Sequence, residues 1–548
     1  MIERLRRAAS LVTAAALLLG GPGSAWAGGG RGASDEAESF ATTTPIKHVV
    51  VIFQENISFD HYFGTYPYAT NPIAETPFHA KDDTPRASNL LAGGLLTSNP
   101  NSTQPFRMDP TMSVTCDQNH NYGAEQSASD HGLMDKFPEN VGSGASTSSP
   151  CNDYGKGTGV VMGYFDGNTV TALWNYAQHY AMSDNSYSTM FGPSTVGALN
   201  LIAGTTSTAT LQPSADGSAQ PSATTASGNI AGKQLTGPAI GDPRPFYDDC
   251  VETDPTTSKL FTKIRISVVG MNVADLLNAK NITWGWFQGG FAPTGTDSKG
   301  RAICGAHQVG LAGDDAMTTS GDYIPHHEPF EYFTQSTNQH HTRPSKSSLI
   351  GTSTDGANHQ YDLSDFWTVL DEDKLPAVTY LKAAAYQDGH PGYSDPIDEQ
   401  FFLVNVINAL QNSRYWKDTA VFVAYDDSDG WYDHALGPIV NQSAVSDDSI
   451  GTAGNCGSAA TTTQGQCGYG PRQPLLVISP YARQNYVDHR VTDQSSILRF
   501  IEDNWNVGRI GGNSSDAKAG TLNGLFDFDD KGNAPRLILD PSTGVVLH

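Results

Sequence analysis

"IKHVVVIF", residues 46–53, is an unbroken run of mostly apolar, β-branched side chains. A half-exposed strand would alternate polar with apolar residues. A continuous run belongs to a strand covered on both faces, as in a parallel sheet between helices. "TAVFV" (419–423) and "QPLLVISPYA" (473–482) read the same way. Helical patterns fall between these runs. Residues 169–180 put Val170, Leu173, Trp174 and Ala177 on one face, and 398–413 keep Leu403, Val406, Ile407 and Leu410 in register. "ALNLIAG" (198–204) begins another helix stopped by Gly204, and residues 271–290 read helix, turn, strand. "SSILRFIEDNW" (495–505) is predicted as a late helix capped by serine. Alternating strands and helices predict an α/β fold with a largely parallel sheet. Ligands of such sheets bind beyond the carboxyl ends of strands, so polar groups directly after strands are the candidates for function.

Two clusters satisfy that rule. "QENISFDHYFG" (54–64) follows the first run, with Glu55 and Asn56 as its leading polar groups, and "YDDSDGWYDH" (425–434) follows the second, with Asp426 and Asp427 adjacent. Neighbouring carboxylates repel, and Glu55 adds a third. A divalent cation bound through oxygens removes the conflict. For any one of these acids the plainer account is a helix cap or a solvated loop residue. The set together points to a metal. A third cluster, "FGPSTVGALN" (191–200), places Ser194 just before a predicted helix, where backbone N–H groups favour an anion. A serine there is either a cap or a nucleophile that also binds the metal. Of His120, His326, His327, His390 and His434, several lie in loops beside Pro, Gly, Asp or another His. A lone histidine is ordinarily a structural hydrogen bonder. Several of them with a hydroxyl and a metal suit phosphoryl transfer, where imidazoles bind the nonbridging oxygens and one protonates the leaving oxygen.

The bulk properties narrow the partners. The 548 residues carry 32 basic and 57 acidic side chains, a net charge of −25. That excludes a nucleic-acid binder, which needs a basic footprint, and disfavours tight binding to anionic membranes. The first 27 residues show Arg4, Arg6 and Arg7, an apolar stretch from Ala8 to Leu19, and Ala25-Trp26-Ala27, the three parts of a signal peptide. An exported protein, periplasmic or secreted, is expected, with a flexible leader over 28–44, one catalytic domain over 45–540, and insertions near 205–245 and 441–470. No later segment is apolar enough to span a membrane. Six cysteines in an exported chain suggest disulfides. Pairing of sequence neighbours predicts 116–151, 250–304 and 456–467.

"ENISFDHYFG", "FGPST", "HHEPF", "HPGYSD" and "YDDSDGWYDH", spread over about residues 46–505, resemble the bacterial phosphoesterase family that joins acid phosphatases with phospholipases C. The resemblance implies an alkaline-phosphatase-like three-layer α/β sandwich holding one divalent metal ion of unspecified identity. It implies Glu55, Asn56, Ser194, Asp426 and Asp427 as ligands and Ser194 as the residue that becomes phosphorylated. Asn56, His120, His326, His327 and His390 would surround the phosphoryl group. Residues 116–139 look more like the acid-phosphatase branch, so a broad phosphomonoesterase is expected, with a phospholipase C as the alternative. Trp284, Trp286 and Tyr332 would be candidates for a choline cage, although core packing is the plainer account of them. A non-catalytic, metal-stabilised exported binding protein is a further alternative; it would keep the acids without needing Ser194 or the histidines.

Overall fold

The run HVVVIFQ forms the strand His48–Gln54, buried along its whole length. It lies inside an eight-stranded sheet of order Gln360–Asp362, Trp284–Gln288, Val378–Lys382, His48–Gln54, Thr419–Tyr425, Leu475–Ile478, Ala181–Ser183, Tyr486–Asp488. Within that sheet only Leu475–Ile478 runs against its neighbours; every other pairing is parallel. The computed structural model describes residues 36–547 apart from 144–153, 214–219, 254–263, 314–320, 458–463 and 531. The predicted signal peptide and the first part of the leader lie outside the described residues.

Helices cover both faces. Phe422 packs its ring 5.2 Å from Phe500 in the helix Ser495–Trp505. Tyr425, three residues on and therefore on the other face, donates to Glu399 of the helix Pro396–Asn412 at 2.7 Å. Ser194–Ala203 packs with Ser495–Trp505, and Thr171–His179 with Pro396–Asn412. The result is a three-layer α/β sandwich with a mostly parallel sheet. Val49, Val50, Val51, Ile52 and Phe53 are fully buried; such side chains contribute about 1.5–3 kcal/mol each when taken from water.

Three local expectations change. The strand predicted over 419–423 continues to Tyr425, which makes Asp426 the first residue beyond it. The late helix is not capped by serine: Gln494 holds the cap position without a side-chain cap bond, and Ser495 N donates to the Asp493 carboxylate one residue further back at 3.2 Å. The leader is anchored in its second half, because Thr43 N donates to Asn504 O at 2.8 Å and Thr44 Oγ1 to Asn504 Oδ1 at 2.7 Å. The stretch near 205–245 carries Ala209–Gln212, Thr236–Gly237 and Arg244–Pro245, which join Arg265–Val268 in a second, four-stranded sheet. No helix among the described residues is long and apolar enough to cross a membrane.

Cys250–Cys304 and Cys456–Cys467 are bonded, with Cα atoms 5.5 and 5.8 Å apart. The expected partner of Cys116, Cys151, lies outside the described residues. Protein denatured without reductant is expected to show at most a trace of titratable thiol; several thiols per chain would contradict the disulfide reading.

Candidate active site

Two neighbouring strands bring the acids together. The parallel register pairs Gln54 with Tyr425, so Glu55 and Asp426 leave the sheet side by side. The backbone then turns sharply at both ends. Asn56 has φ of 61° and Asp429 of 53°, a left-handed conformation that Asn and Asp tolerate better than other non-glycine residues and that concentrates at functional sites. The Asp426 carboxylate locks this geometry by accepting from Asn56 N at 2.9 Å and Asp427 N at 2.7 Å, both on Oδ1. Its Oδ2 is buried and without a hydrogen-bond partner among the described residues.

Ser194 closes the cluster from the other side of the sequence. It is the first residue of the helix Ser194–Ala203, with Pro193 at the cap position, so its hydroxyl does not serve as the cap that a serine before a helix would be. Instead Oγ lies 3.0 Å from Asp427 Oδ2, 3.2 Å from Glu55 Oε2 and 3.4 Å from Asn56 Oδ1. Close approach of helix to strand end requires Gly197, where a Cβ would come within 2.1 Å of Asp426 O. Glu55, Asn56, Ser194, Asp426 and Asp427 are all buried. Burial and the Asp426 charge hold the Asp427 carboxyl well above the usual carboxylate range. A buried, all-oxygen set with an orphaned carboxylate oxygen and strong mutual repulsion fits a hard divalent cation. These residues would hold it.

The histidines line the adjacent space. His327 Nδ1 lies 3.1 Å from Glu55 Oε1 and 4.0 Å from Asp388 Oδ2, while its Nε2 is buried and has no hydrogen-bond partner among the described residues. His326 stands edge-on to it at 4.3 Å, against the Arg244 guanidinium. His390 N donates to Asp388 Oδ1 at 3.0 Å, and the His390 ring is 6.2 Å from that of His120. His120 Nδ1 is 3.1 Å from Asp429 Oδ1 and 3.5 Å from Asp117 Oδ1. These environments divide the imidazoles. Burial, reinforced by Arg244, pushes His326 and His327 well below their ordinary range, and burial also lowers His390. For His120 burial opposes the charge, but Asp427, Asp429 and Asp117 outweigh it and hold the ring well above that range. His434 belongs elsewhere, in a buried ion cluster with Asp60 (2.5 Å) and Arg472. Trp284, Trp286 and Tyr332 are core residues: Trp284 stacks on His359 at 4.2 Å and Trp286 on Tyr380 at 5.8 Å.

Sequence reasoning missed several neighbours. Lys382, at the end of the strand Val378–Lys382, forms a buried ion pair with Glu55 Oε1; the rule that found Glu55 would have found it had "VTYLK" been read as a strand. Asp388 sits two residues before His390, and Asp429 within the quoted aspartate stretch. Asp242 accepts from Thr195 N at 2.9 Å, and Tyr332 OH lies 3.2 Å from Thr195 Oγ1. Neither Asp242 nor Arg244 carries a signal in the sequence around it.

Comparison with known proteins places the chain in a family. A non-hemolytic phospholipase C of Burkholderia pseudomallei is 24% identical over 485 residues, 85% of this chain and 56% of its own length. Another from Pseudomonas aeruginosa is 34% identical over 176 residues, 29% of this chain and 25% of its own. Phospholipase C B of Mycobacterium tuberculosis is 26% identical over 193 residues, 34% and 36% of the two chains. The present chain thus matches at most about half the length of these relatives. A solved structure of a protein in the alkaline phosphatase superfamily from Vibrio parahaemolyticus aligns at 12% identity and a TM-score of 0.28, over 64% of this chain and 62% of that one. The sequence profile of the phosphoesterase family matches residues 46–508, which span the sheet, Ser194, every acid of the cluster and all four histidines around it. This chain belongs to the phosphoesterase family.

Proposed function

We propose that the protein is an exported, metal-dependent phosphoric ester hydrolase that acts on small phosphate monoesters through a phosphoserine at Ser194. The observation that carries the reading is the convergence of the Ser194 hydroxyl, at a helix N-terminus, on oxygens of Glu55, Asn56 and Asp427. A divalent cation held by Glu55, Asn56, Ser194, Asp426 and Asp427 would supply Lewis-acid stabilisation of the charge that develops at the serine oxygen and the phosphoryl group. Asp427 Oδ2, 3.0 Å away, is placed to take the Ser194 proton. The Ser194 oxygen then bonds to phosphorus as the bond from phosphorus to the leaving oxygen breaks. His326, His327, His390 and the Asn56 amide bind the nonbridging oxygens. His120, whose charged form its three carboxylate neighbours favour, gives its proton to the departing alcohol and afterwards accepts one from the water that attacks the phosphoserine; the bond from phosphorus to Ser194 then breaks, Asp427 returns the proton to the serine oxygen, and phosphate leaves.

Preference for a monoester is supported by the likeness of residues 116–139 to the acid-phosphatase branch, and by the commitment of Trp284, Trp286 and Tyr332 to the core, where they form no cage for choline. A second reading, phospholipase C, is favoured by the names of the relatives. Hydrolysis of p-nitrophenyl phosphate and of p-nitrophenylphosphorylcholine by one purified preparation separates the two. The monoester is expected to show the larger kcat/KM. The reverse order would establish the phospholipase reading, and turnover of neither would return the protein to the class of binding proteins.

A further inference from the structure

The helix Tyr122–Ser129, which begins two residues after His120, carries a carboxylate that the chemistry above does not use. Glu125 is buried, and both of its oxygens are engaged. Oε2 accepts from Gly192 N at 3.0 Å and Oε1 from Ser428 Oγ at 2.7 Å. Gly192 lies two residues before the nucleophile, with φ of 123°. Ser428 directly follows Asp427, and its Oγ also accepts from Gly430 N at 3.0 Å, bracing the turn that presents the aspartates. One side chain therefore ties the loop entering Ser194 to the loop leaving Asp427.

A requirement for packing alone does not account for a carboxylate here. No Lys or Arg among the described residues forms an ion pair with Glu125, and burial pushes its carboxyl up to about 7, opposed by the two hydrogen bonds and by His120. Burying an acid without a cationic partner is costly, and an apolar residue would fill the same space at less cost. Two acceptor oxygens on one rigid fork are what the two loops need.

We infer that Glu125 is a positioning residue, which sets the separation of the Ser194 hydroxyl from the Asp427 carboxylate by holding Gly192 and Ser428 on its two oxygens. The inference rests on the hydrolase reading given above. Its consequence is a loss in the chemical step rather than in binding, because both bonds go to the segments that present Ser194 and Asp427, and small misplacements of a nucleophile cost up to about a hundredfold in rate.

The test compares Glu125→Met, Glu125→Gln and Ser428→Ala with wild type on both p-nitrophenyl esters, together with metal content and melting temperature. Glu125→Met is expected to lower kcat by roughly 30- to 100-fold with KM within about threefold and metal retained. Glu125→Gln, whose amide can accept from Gly192 and donate to Ser428, is expected to recover kcat to within about fivefold of wild type. Ser428→Ala removes one arm only and is expected to cost about tenfold in kcat, which keeps the test decisive if the methionine variant does not fold. Near-normal kcat in Glu125→Met or Ser428→Ala would overturn the positioning role. So would a loss that follows metal content or melting temperature in every variant. A wild type inert on both esters would overturn the hydrolase reading and this role with it, whereas an active wild type with unaffected variants overturns the role alone.

Discussion

Ser194→Ala is expected to lower turnover by at least about a thousandfold, or about 4 kcal/mol of transition-state stabilisation, with fold and metal content largely retained. The hydroxyl is one of the five groups proposed to hold the cation and the only uncharged nucleophile among them. Its loss leaves Glu55, Asn56, Asp426 and Asp427 in place on the sheet. No other side chain of the cluster offers an oxygen at the positive end of the helix Ser194–Ala203. The loss should exceed that of any single histidine variant, because in the proposed mechanism His326, His327 and His390 share the phosphoryl oxygens. Acid quench of wild type turning over a radiolabelled phosphate ester is expected to trap label on the peptide containing Ser194. Label on another residue, or near-normal turnover in the alanine variant, would mean that water attacks phosphorus directly.

Asp426→Ala and Asp427→Ala are each expected to lose bound divalent ion and activity together, which elemental analysis of the purified variants measures. Full metal occupancy in both would remove these residues from the metal set. The stability of the metal-free protein should move the other way. The Asp427 carboxyl is raised in the folded state, first by burial and then by the Asp426 charge. An acid raised on folding costs stability wherever it must ionise, so the penalty is absent below its unfolded value and grows as pH rises toward and through the folded one. Asp427→Asn removes this penalty. Stripped of metal at neutral pH, that variant should melt above stripped wild type, and the gap should close as pH falls below about 4. An equal or lower melting temperature at neutral pH would mean that the carboxylate is already compensated in the metal-free protein, with the nearby Lys382 ammonium the first place to look.

Much of this was legible in the sequence because parallel strands buried on both faces leave so plain a trace. The runs at 46–53 and 419–423 located two adjacent strands, and the polar residues that follow them meet beyond the carboxyl ends of those strands. Ser194 was found for a partly mistaken reason. The helix begins at the serine itself, and a side chain in the first turn rather than at the cap is what frees its hydroxyl to face the acids. Lys382 was missed because its strand, Val378–Lys382, is five residues long and followed by alanines that blur its end. Asp242 and Arg244 had no local pattern to betray them. They arrive through pairing of short strands distant in sequence, such as Arg244 with Arg265, and such pairing depends on tertiary context more than on composition. Glu125 was equally hidden, since an acid in the first turn of a helix is ordinarily explained by the helix dipole.

The division between sheet and loops has a consequence for how such a protein can diverge. Glu55, Asn56, Asp426 and Asp427 are fixed by the register of two hydrogen-bonded central strands, so a one-residue slip in either would turn every core side chain to the wrong face. The histidines come from separate segments around 118–120, 325–327 and 388–390, whose lengths are not bound by that register. Descendants of one ancestor can therefore exchange what the loops recognise while inheriting the strand-end acids unaltered. Lineages that differ widely in the size of the molecule they cleave would still be aligned, residue for residue, across the four positions at these two strand ends.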